Sequence, residues 1–430
     1  MKKLRAELDF FKTQPMPMRK LLQANLVYAL VLPLLELFIG AYILRNSADV
    51  SLVIFFQLAQ GTGIPITFML NNYLLKFFSV AAMYSTGMVL SGVSMGVMML
   101  LPELDATGVA TTGFLMGLAY GFFWANRVYL AMSSTKDQNR NYFYGLETFF
   151  FTVAYILMPL IAGYFIAAAH RYSWFNSNLS VPYYILTALV LLLTFLASSI
   201  IRKGQYKNPP SLPFIYFKFH HLWNKMLYMA VFKGVAQGFV ITAPVMLVMK
   251  LVGNEGALGS IQAAGSFLSA MMLYVLGRLT TPRHRLKIFA AGLSLFVVGA
   301  TLNMLMYSLA GAVLFIACQV FSRPLLDLAY FPIQLGVTEC VAKKENRSQL
   351  TYIFSHEIGL FTGRLFGCSL FMLIAGYFGD EAALRYALFA VALVQFFSVF
   401  IARSILKNKE WCDAEKIPLS ENDLKEPSEL

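Results

Sequence analysis

The chain has 430 residues, of which 58% are hydrophobic, 15% aromatic and 13% charged. Soluble domains carry about 25% charged residues, so this chain has too little charge to coat a water-facing surface. That excludes a large soluble enzyme or a nucleic-acid-binding domain despite the net charge of +12, and the high hydrophobicity excludes disorder.

A helix that crosses a bilayer needs about 20 mainly apolar residues. Runs of that kind, broken at charge clusters and Gly/Pro/Asn stretches, predict twelve helices: 21–44, 51–75, 78–100, 107–131, 142–168, 182–201, 226–249, 256–276, 286–308, 311–335, 352–378 and 383–406. The first is too long in its apolar part for a cleaved signal peptide, and no small-residue cleavage site follows it. Lys and Arg gather in cytoplasmic loops. With the N-terminus inside, the inner segments hold 26 of the 34 basic residues and the outer loops hold Arg45, Arg171, Lys250 and Arg385. The expected arrangement is therefore multi-pass in the cell membrane with both termini cytoplasmic. The basic loops would then meet anionic lipid rather than nucleic acid.

Residues 202–225 separate six helices from six. They are basic, Pro-rich and aromatic, as suits a linker at the inner headgroup level. The sequence thus divides into an N-terminal segment 1–20, a bundle 21–201, the linker 202–225, a second bundle 226–406 and an acidic tail 407–430. The halves also echo each other. KDQNR at 136–140 precedes Tyr142, Tyr144 and Glu147, and KKENR at 343–347 precedes Tyr352, Phe354 and Glu357. Each set is followed by the tetrapeptide AGYF, at 162–165 and 375–378.

Twelve spans, a mid-chain cytoplasmic linker and repeated halves resemble the major facilitator superfamily of secondary transporters. That family carries a Gly–Asp-Arg–Gly–basic loop signature after helices 2 and 8. GRLTTPRHRLK at 277–287 is similar to the second copy, with Gly277, Arg283 and Arg285 in place and Thr281 where the acid would stand. The first copy, NNYLLKFFS at 71–79, keeps only Lys76. The resemblance implies an all-α integral membrane fold of twelve transmembrane helices in two pseudo-symmetric six-helix bundles, working by alternating access.

Glycines recur at four-residue spacing in helix 4 (Gly113, Gly117, Gly121) and helix 11 (Gly359, Gly363, Gly367). Small faces let helices approach closely in lipid. The resemblance implies that helix 11 packs against the opposite half, where such a face could slide. Pro65 and Pro324 are expected helix breaks at a cavity.

Charges inside a bilayer cost at least about 2.5–3.5 kcal/mol each, so each needs a reason. Eight fall within the predicted spans away from their ends and sum to zero: Glu36, Arg127, Glu147, Lys233, Arg323, Asp327, Glu357 and Arg364. Arg127, Glu147, Lys233 and Glu357 lie near enough to the inner face to read as structural or snorkelling groups. Arg323 and Arg364 fall about a dozen residues into their helices, close to the midplane at 1.5 Å per residue. Asp327 stands four residues after Arg323, so the two are expected to pair directly. Glu36, set among Leu and Phe in helix 1, is the candidate for a coupling proton. Asn25, Tyr28, Gln57, Trp124, Asn126, Gln237 and Gln262 are candidates, with Arg323, Asp327 and Arg364, to line a substrate cavity. Arg140, Glu147, Gly277, Arg283, Arg285, Arg347 and Glu357 are candidate gating residues at the loops.

The expected function is secondary active transport of a small solute, with the proton as coupling ion and the chain acting as a monomer. The sequence has no nucleotide-binding GxxxxGK[ST] loop. No metal or other cofactor is expected, since the cysteines Cys318, Cys340, Cys368 and Cys412 are scattered. The alternatives are a flippase for a lipid-linked substrate, suggested by 21 Met and 38 Phe, and a membrane-embedded lipid-modifying enzyme, which would need an acid or His cluster at one face. A receptor or scaffold would show a large extra domain.

Overall fold

The computed structural model describes residues 9–135, 137–175, 178, 180–208, 215–279 and 284–408. Twelve of its helices are long and apolar enough to cross a bilayer. They are α1 Met16–Ser47, α2 Val50–Leu74, α3 Val80–Met99, α4 Ala106–Ser134, α5 Asp137–Arg171 and α6 Val181–Arg202. The second set is α7 His221–Leu251, α8 Glu255–Leu279, α9 Arg285–Met306, α10 Leu309–Glu345, α11 Gln349–Phe378 and α12 Asp380–Leu406.

Short polar residues start these helices by accepting backbone N–H groups that have no partner inside the helix. The Asp49 carboxylate accepts from Ser51, Ser79 from Ala82, Asp105 from Gly108 and Asn254 from Gly256, at 2.7–3.1 Å. His220 caps α7 through its ring nitrogen, which accounts for one member of the linker His pair. The αL residues Ala48 and Asn346 end α1 and α10.

Helices α1–α6 form one bundle and α7–α12 the other. Because the helices alternate direction, both bundles begin and end at one face, called here the linker face. Asn208 fastens the linker to the first bundle: its amide donates to the carbonyls of Leu75 and Phe78 and accepts from Val80 N–H, all at 2.8 Å. Arg347 holds it to the second, donating to the Lys218 carbonyl at 2.7 Å and covering the Tyr216 ring. The middle of the linker, the loop carrying Arg283 and the acidic tail beyond 408 lie outside the described residues.

Two expectations about helix shape need correction. Neither α2 nor α10 breaks at its proline; both run continuously through Pro65 and Pro324. Proline removes one N–H, which frees the carbonyl four residues earlier. In α10 that carbonyl, of Val320, is taken by the Ser269 hydroxyl of α8 at 3.0 Å, so the helix can continue. Interruptions fall instead in α7, at Ile241–Thr242 just before Pro244, and in α12, at a π segment Ala383–Ala387 and at Phe397. The glycine face of α11 also points elsewhere than expected. Gly359, Gly363 and Gly367 press on Ala230, Val231 and Val235 of α7, within the same half. Gly113, Gly117 and Gly121 likewise press on α2 within theirs. These stripes build the bundles rather than the surface between them.

The halves meet along α2 with α11 and α5 with α8. The second contact is backbone-to-backbone at the face opposite the linker. A methyl group on Gly163 would fall against the Glu255 carbonyl, and one on Gly259 against the Pro159 carbonyl.

Candidate functional site

Between the halves, a cavity of about 540 Å³ is lined by α1, α4, α5, α7, α8 and α10. A second chamber of about 490 Å³ lies toward α2 and α11, and a third of about 190 Å³ runs into the second bundle. Arg323 and Ile241 line all three. The interruption in α7 therefore sits on the cavity wall, where irregular backbone is tolerated in a membrane protein.

The cavity is sealed at the face opposite the linker. The Arg45 guanidinium of α1 grips the carboxylate of Glu255 on α8 at 2.6 and 2.9 Å and donates to the Gly253 carbonyl at 2.8 Å. Tyr183 of α6 donates to the same carboxylate at 2.8 Å. Lys250 donates to the Ala48 carbonyl at 3.4 Å and pairs with Asp380 at 3.1 Å. The hydrogen bonds described between the halves gather at this face. Toward the linker face the cavity continues past Arg127, Thr148 and Leu273.

Glu36 projects from the first half into the cavity and is exposed there. It has a partner on its own half, the Tyr155 hydroxyl, which donates to it at 2.9 Å. Arg323 projects from the second half and is also exposed to the cavity. The expected Arg323–Asp327 pair is absent. Asp327 instead pairs at 3.5 Å with Lys233 of α7, whose ammonium rests 4.0 Å from the Tyr330 ring and 4.4 Å from Phe331. The reason is rotational. Four residues of helix put Asp327 on the same stripe as Arg323, but α7 brings a cation closer to it than the Arg323 head. Arg364 and Arg323 share the chamber toward α2 and α11. Arg364 donates to Gln237 at 3.2 Å and stands 3.9 Å from Glu357, with one guanidinium nitrogen buried and without an acceptor.

The other sequence candidates divide. Gln57, Trp124, Gln237 and Glu357 line the chamber toward α11, and Gln262 lines the chamber beside α8. Asn25, Tyr28 and Asn126 do not line the cavity; all three are buried inside the first bundle. Asn25 donates to Glu147 at 2.6 Å and accepts from Tyr84 at 2.7 Å. Glu147 is clasped by Arg127 at 2.7 and 3.2 Å, and Arg127 itself lies over Trp124 and Phe151. Tyr28 donates to Ser91 at 3.0 Å and Asn126 to Asn71 at 2.7 Å. Asn25 and Tyr28 lie inside the bundle because α1 is enclosed on nearly every side, and Asn126 because it sits on the face of α4 that meets α2. At the loops, Gly277 falls in the last turn of α8, Arg285 opens α9, and the Arg140 side chain is outside the described residues. The sequence reading passed over Tyr155, Gln319, Glu255 and Tyr183. Tyr155 sits in the aromatic run FFFTVAYIL and Glu255 in the polar run GNEG, where neither signals a site.

Two bundles around a central cavity, sealed at one face and lined by charges from both halves, define a membrane carrier. The sequence profile of the Major Facilitator Superfamily matches residues 22–355, and the chain belongs to that family. It is 23% identical over 368 residues to the uncharacterized protein YqgE of Bacillus subtilis (strain 168), covering 84% of this chain and 83% of that one. It is 26% identical over 143 residues to an uncharacterized protein in the sodM 3' region of Geobacillus stearothermophilus, covering 33% of this chain and 67% of that protein. Its fold is shared with a bacterial homolog of the human lysosomal transporter Spinster, crystallised inward-facing and unoccupied (TM-score 0.65, 12% identity, 94% of this chain and 99% of that one). It is shared also with the nucleoside transporter NupG (TM-score 0.63, 11% identity, 91% and 100%) and the peptide transporter POT (TM-score 0.63, 12% identity, 91% and 95%). The protein is a multi-pass membrane protein whose fold is built to move a solute across a bilayer.

Proposed function

We propose that the protein is a proton-coupled secondary transporter that carries a small solute across the cell membrane by alternating access, acting as a monomer with both termini and the linker in the cytoplasm. The observation that carries this reading is Glu36, a carboxylate held by Tyr155 and facing Arg323 across a cavity sealed at one end. A titratable group at the meeting point of two moving halves is exposed first to one side and then to the other, and its proton load can follow. With the basic linker face inside, the structure is an inward-open state. Arg45, Glu255 and Lys250 form the outer gate, Arg323 and Arg364 contact the solute, and Arg347 and Glu357 belong to the inner side that closes in the other state.

The test is uptake by the full chain in proteoliposomes, screened over solute classes with an inward proton gradient and without one. Accumulation above equilibrium only with the gradient supports the reading. Equal uptake under both conditions leaves a carrier without proton coupling.

A further inference from the structure

Three of the four cations set away from the ends of the spans have carboxylate partners: Arg127 with Glu147, Lys233 with Asp327 and Arg364 with Glu357. One group of each sign is left over, and the two stand on opposite halves. Glu36 is the spare anion and Arg323 the spare cation. Among the described residues Arg323 makes no ion pair and no side-chain hydrogen bond, though a guanidinium offers five donors and no acceptor. One helical turn before it, on the same stripe of α10, the buried amide nitrogen of Gln319 also finds no acceptor. Both residues line the same two chambers. Unspent donors side by side on a cavity wall are complementary to an oxyanion. A planar guanidinium with an amide beside it suits a carboxylate, which accepts in parallel.

Glu36 shares its chambers with Tyr120 of α4, Tyr155 of α5 and Arg323 of α10, and with Arg127, Lys233, Asp327, Glu357 and Arg364, which are taken up in the pairs above. Among the described residues there, Arg323 is the one cation without a carboxylate partner. The central charge of the empty cavity is therefore zero, with Glu36 negative and Arg323 positive. A bound carboxylate alone brings it to minus one, and a proton on Glu36 alone brings it to plus one. The two together restore zero.

We propose that the solute is a singly charged carboxylate, received by Arg323 and Gln319, and that it travels with one proton on Glu36. The cavity is then neutral when empty and when fully loaded, and charged in between. A net charge enclosed in a low-dielectric site is costly. The neutral states close and reorient, and the half-loaded states stay open to the side they face. Coupling follows from this charge balance, and the cycle moves no net charge. The proposal rests on the transport reading above and supplies its substrate class.

The first test needs no solute. Nitroxide labels at Glu103 and Leu309, both exposed at the face opposite the linker and on different halves, report the opening of that face in vesicles, with the native cysteines replaced. At a pH where free carboxylates are ionised, the otherwise wild-type protein samples a short and a long distance. Glu36→Gln and Arg323→Gln each leave one charge unbalanced and hold a single distance, the other population falling by about tenfold or more. The double variant, neutral again, regains both. Single variants that exchange as freely as wild type, or a double variant as static as the singles, overturn the charge balance.

The second test compares lactate, benzoate and N-acetylglycine with their uncharged amides, and with ethanolamine, in proteoliposomes clamped by potassium and valinomycin. Carboxylate uptake that an imposed potential leaves unchanged, and that Arg323→Gln lowers by about tenfold or more, is the expected result. Uptake that follows the potential, or that prefers the amides or ethanolamine, overturns the carboxylate assignment and leaves transport standing. A wild-type protein with one fixed distance and no uptake of any of these probes overturns the transport reading itself.

Discussion

Arg45 and Glu255 join the two halves of the molecule through a two-pronged ion pair, 2.6 and 2.9 Å long, at the face opposite the linker. Glu255 is almost fully buried and Arg45 partly so. Glu255 also accepts from Tyr183 of the first half, which leaves its carboxylate well satisfied only while the halves touch. The pair closes one end of the cavity and is available to break.

Removing one partner of a buried ion pair typically costs about 3–5 kcal/mol. Here that cost falls on the closed face alone, so it moves the balance between two folded states rather than unfolding the chain. Arg45→Gln is expected to raise the open population at this face by about two orders of magnitude or more. The distance between labels at Glu103 and Leu309 should lengthen, while the unfolding midpoint in detergent changes little. An unchanged distance distribution would remove the pair from the gate.

The two copies of AGYF make a matched experiment. Gly163, in the first, lies against the α8 backbone, whereas Gly376, in the second, has none of the described residues within 4 Å of where a methyl would stand. Gly163→Val should keep α5 and α8 apart, leave the face open and abolish transport. Gly376→Val should leave uptake within about twofold of wild type, as expected for an uncrowded helix surface. Equal effects at the two positions would contradict the assigned packing.

Lys233 and Asp327 are expected to behave as a unit. Asp327→Leu alone leaves an ammonium in the wall of the second bundle without its ion pair, resting on Tyr330 and Phe331, and such a contact stabilises it by about 1–2 kcal/mol. Adding Lys233→Met should recover most of the lost thermal stability, because a buried pair replaced by apolar residues is often close to neutral. Adding Arg323→Met instead should recover none. The opposite pattern would mean that Asp327 answers to its neighbour on α10.

Orientation has its own test. A cysteine at Gln205, exposed at the start of the linker, should react with impermeant reagent only after cells are opened, and one at Glu103 should react in intact cells. Labelling at position 205 from outside would invert the molecule and turn the sealed face toward the cytoplasm.

The sequence carried the architecture well and the site unevenly, for one physical reason. Span number and the break near Lys76 follow from hydropathy and charge, which act along the chain. Which residue meets which depends on helix rotation and on neighbours distant in sequence. The four-residue rule placed Asp327 beside Arg323 correctly, yet it is blind to a lysine arriving from α7. Polar residues on α1 read as cavity lining, but α1 is surrounded, so Asn25 and Tyr28 point into the first bundle. Glycine spacing showed that α11 has a close partner without saying that the partner is α7. Glu36 and Arg323 were legible because a charge at that depth in a span has few places to go.

The central claim is that Glu36 exchanges the coupling proton, and one substitution addresses it most directly. Glu36→Gln preserves the shape of the side chain and can still accept from Tyr155, but it cannot titrate. In proteoliposomes the account predicts that this variant loses accumulation against a gradient under an imposed proton gradient. Binding of solute, measured on the same preparation, should persist. A variant that still concentrates solute with the pH dependence of the unmodified protein would contradict the account and make Glu36 a structural residue.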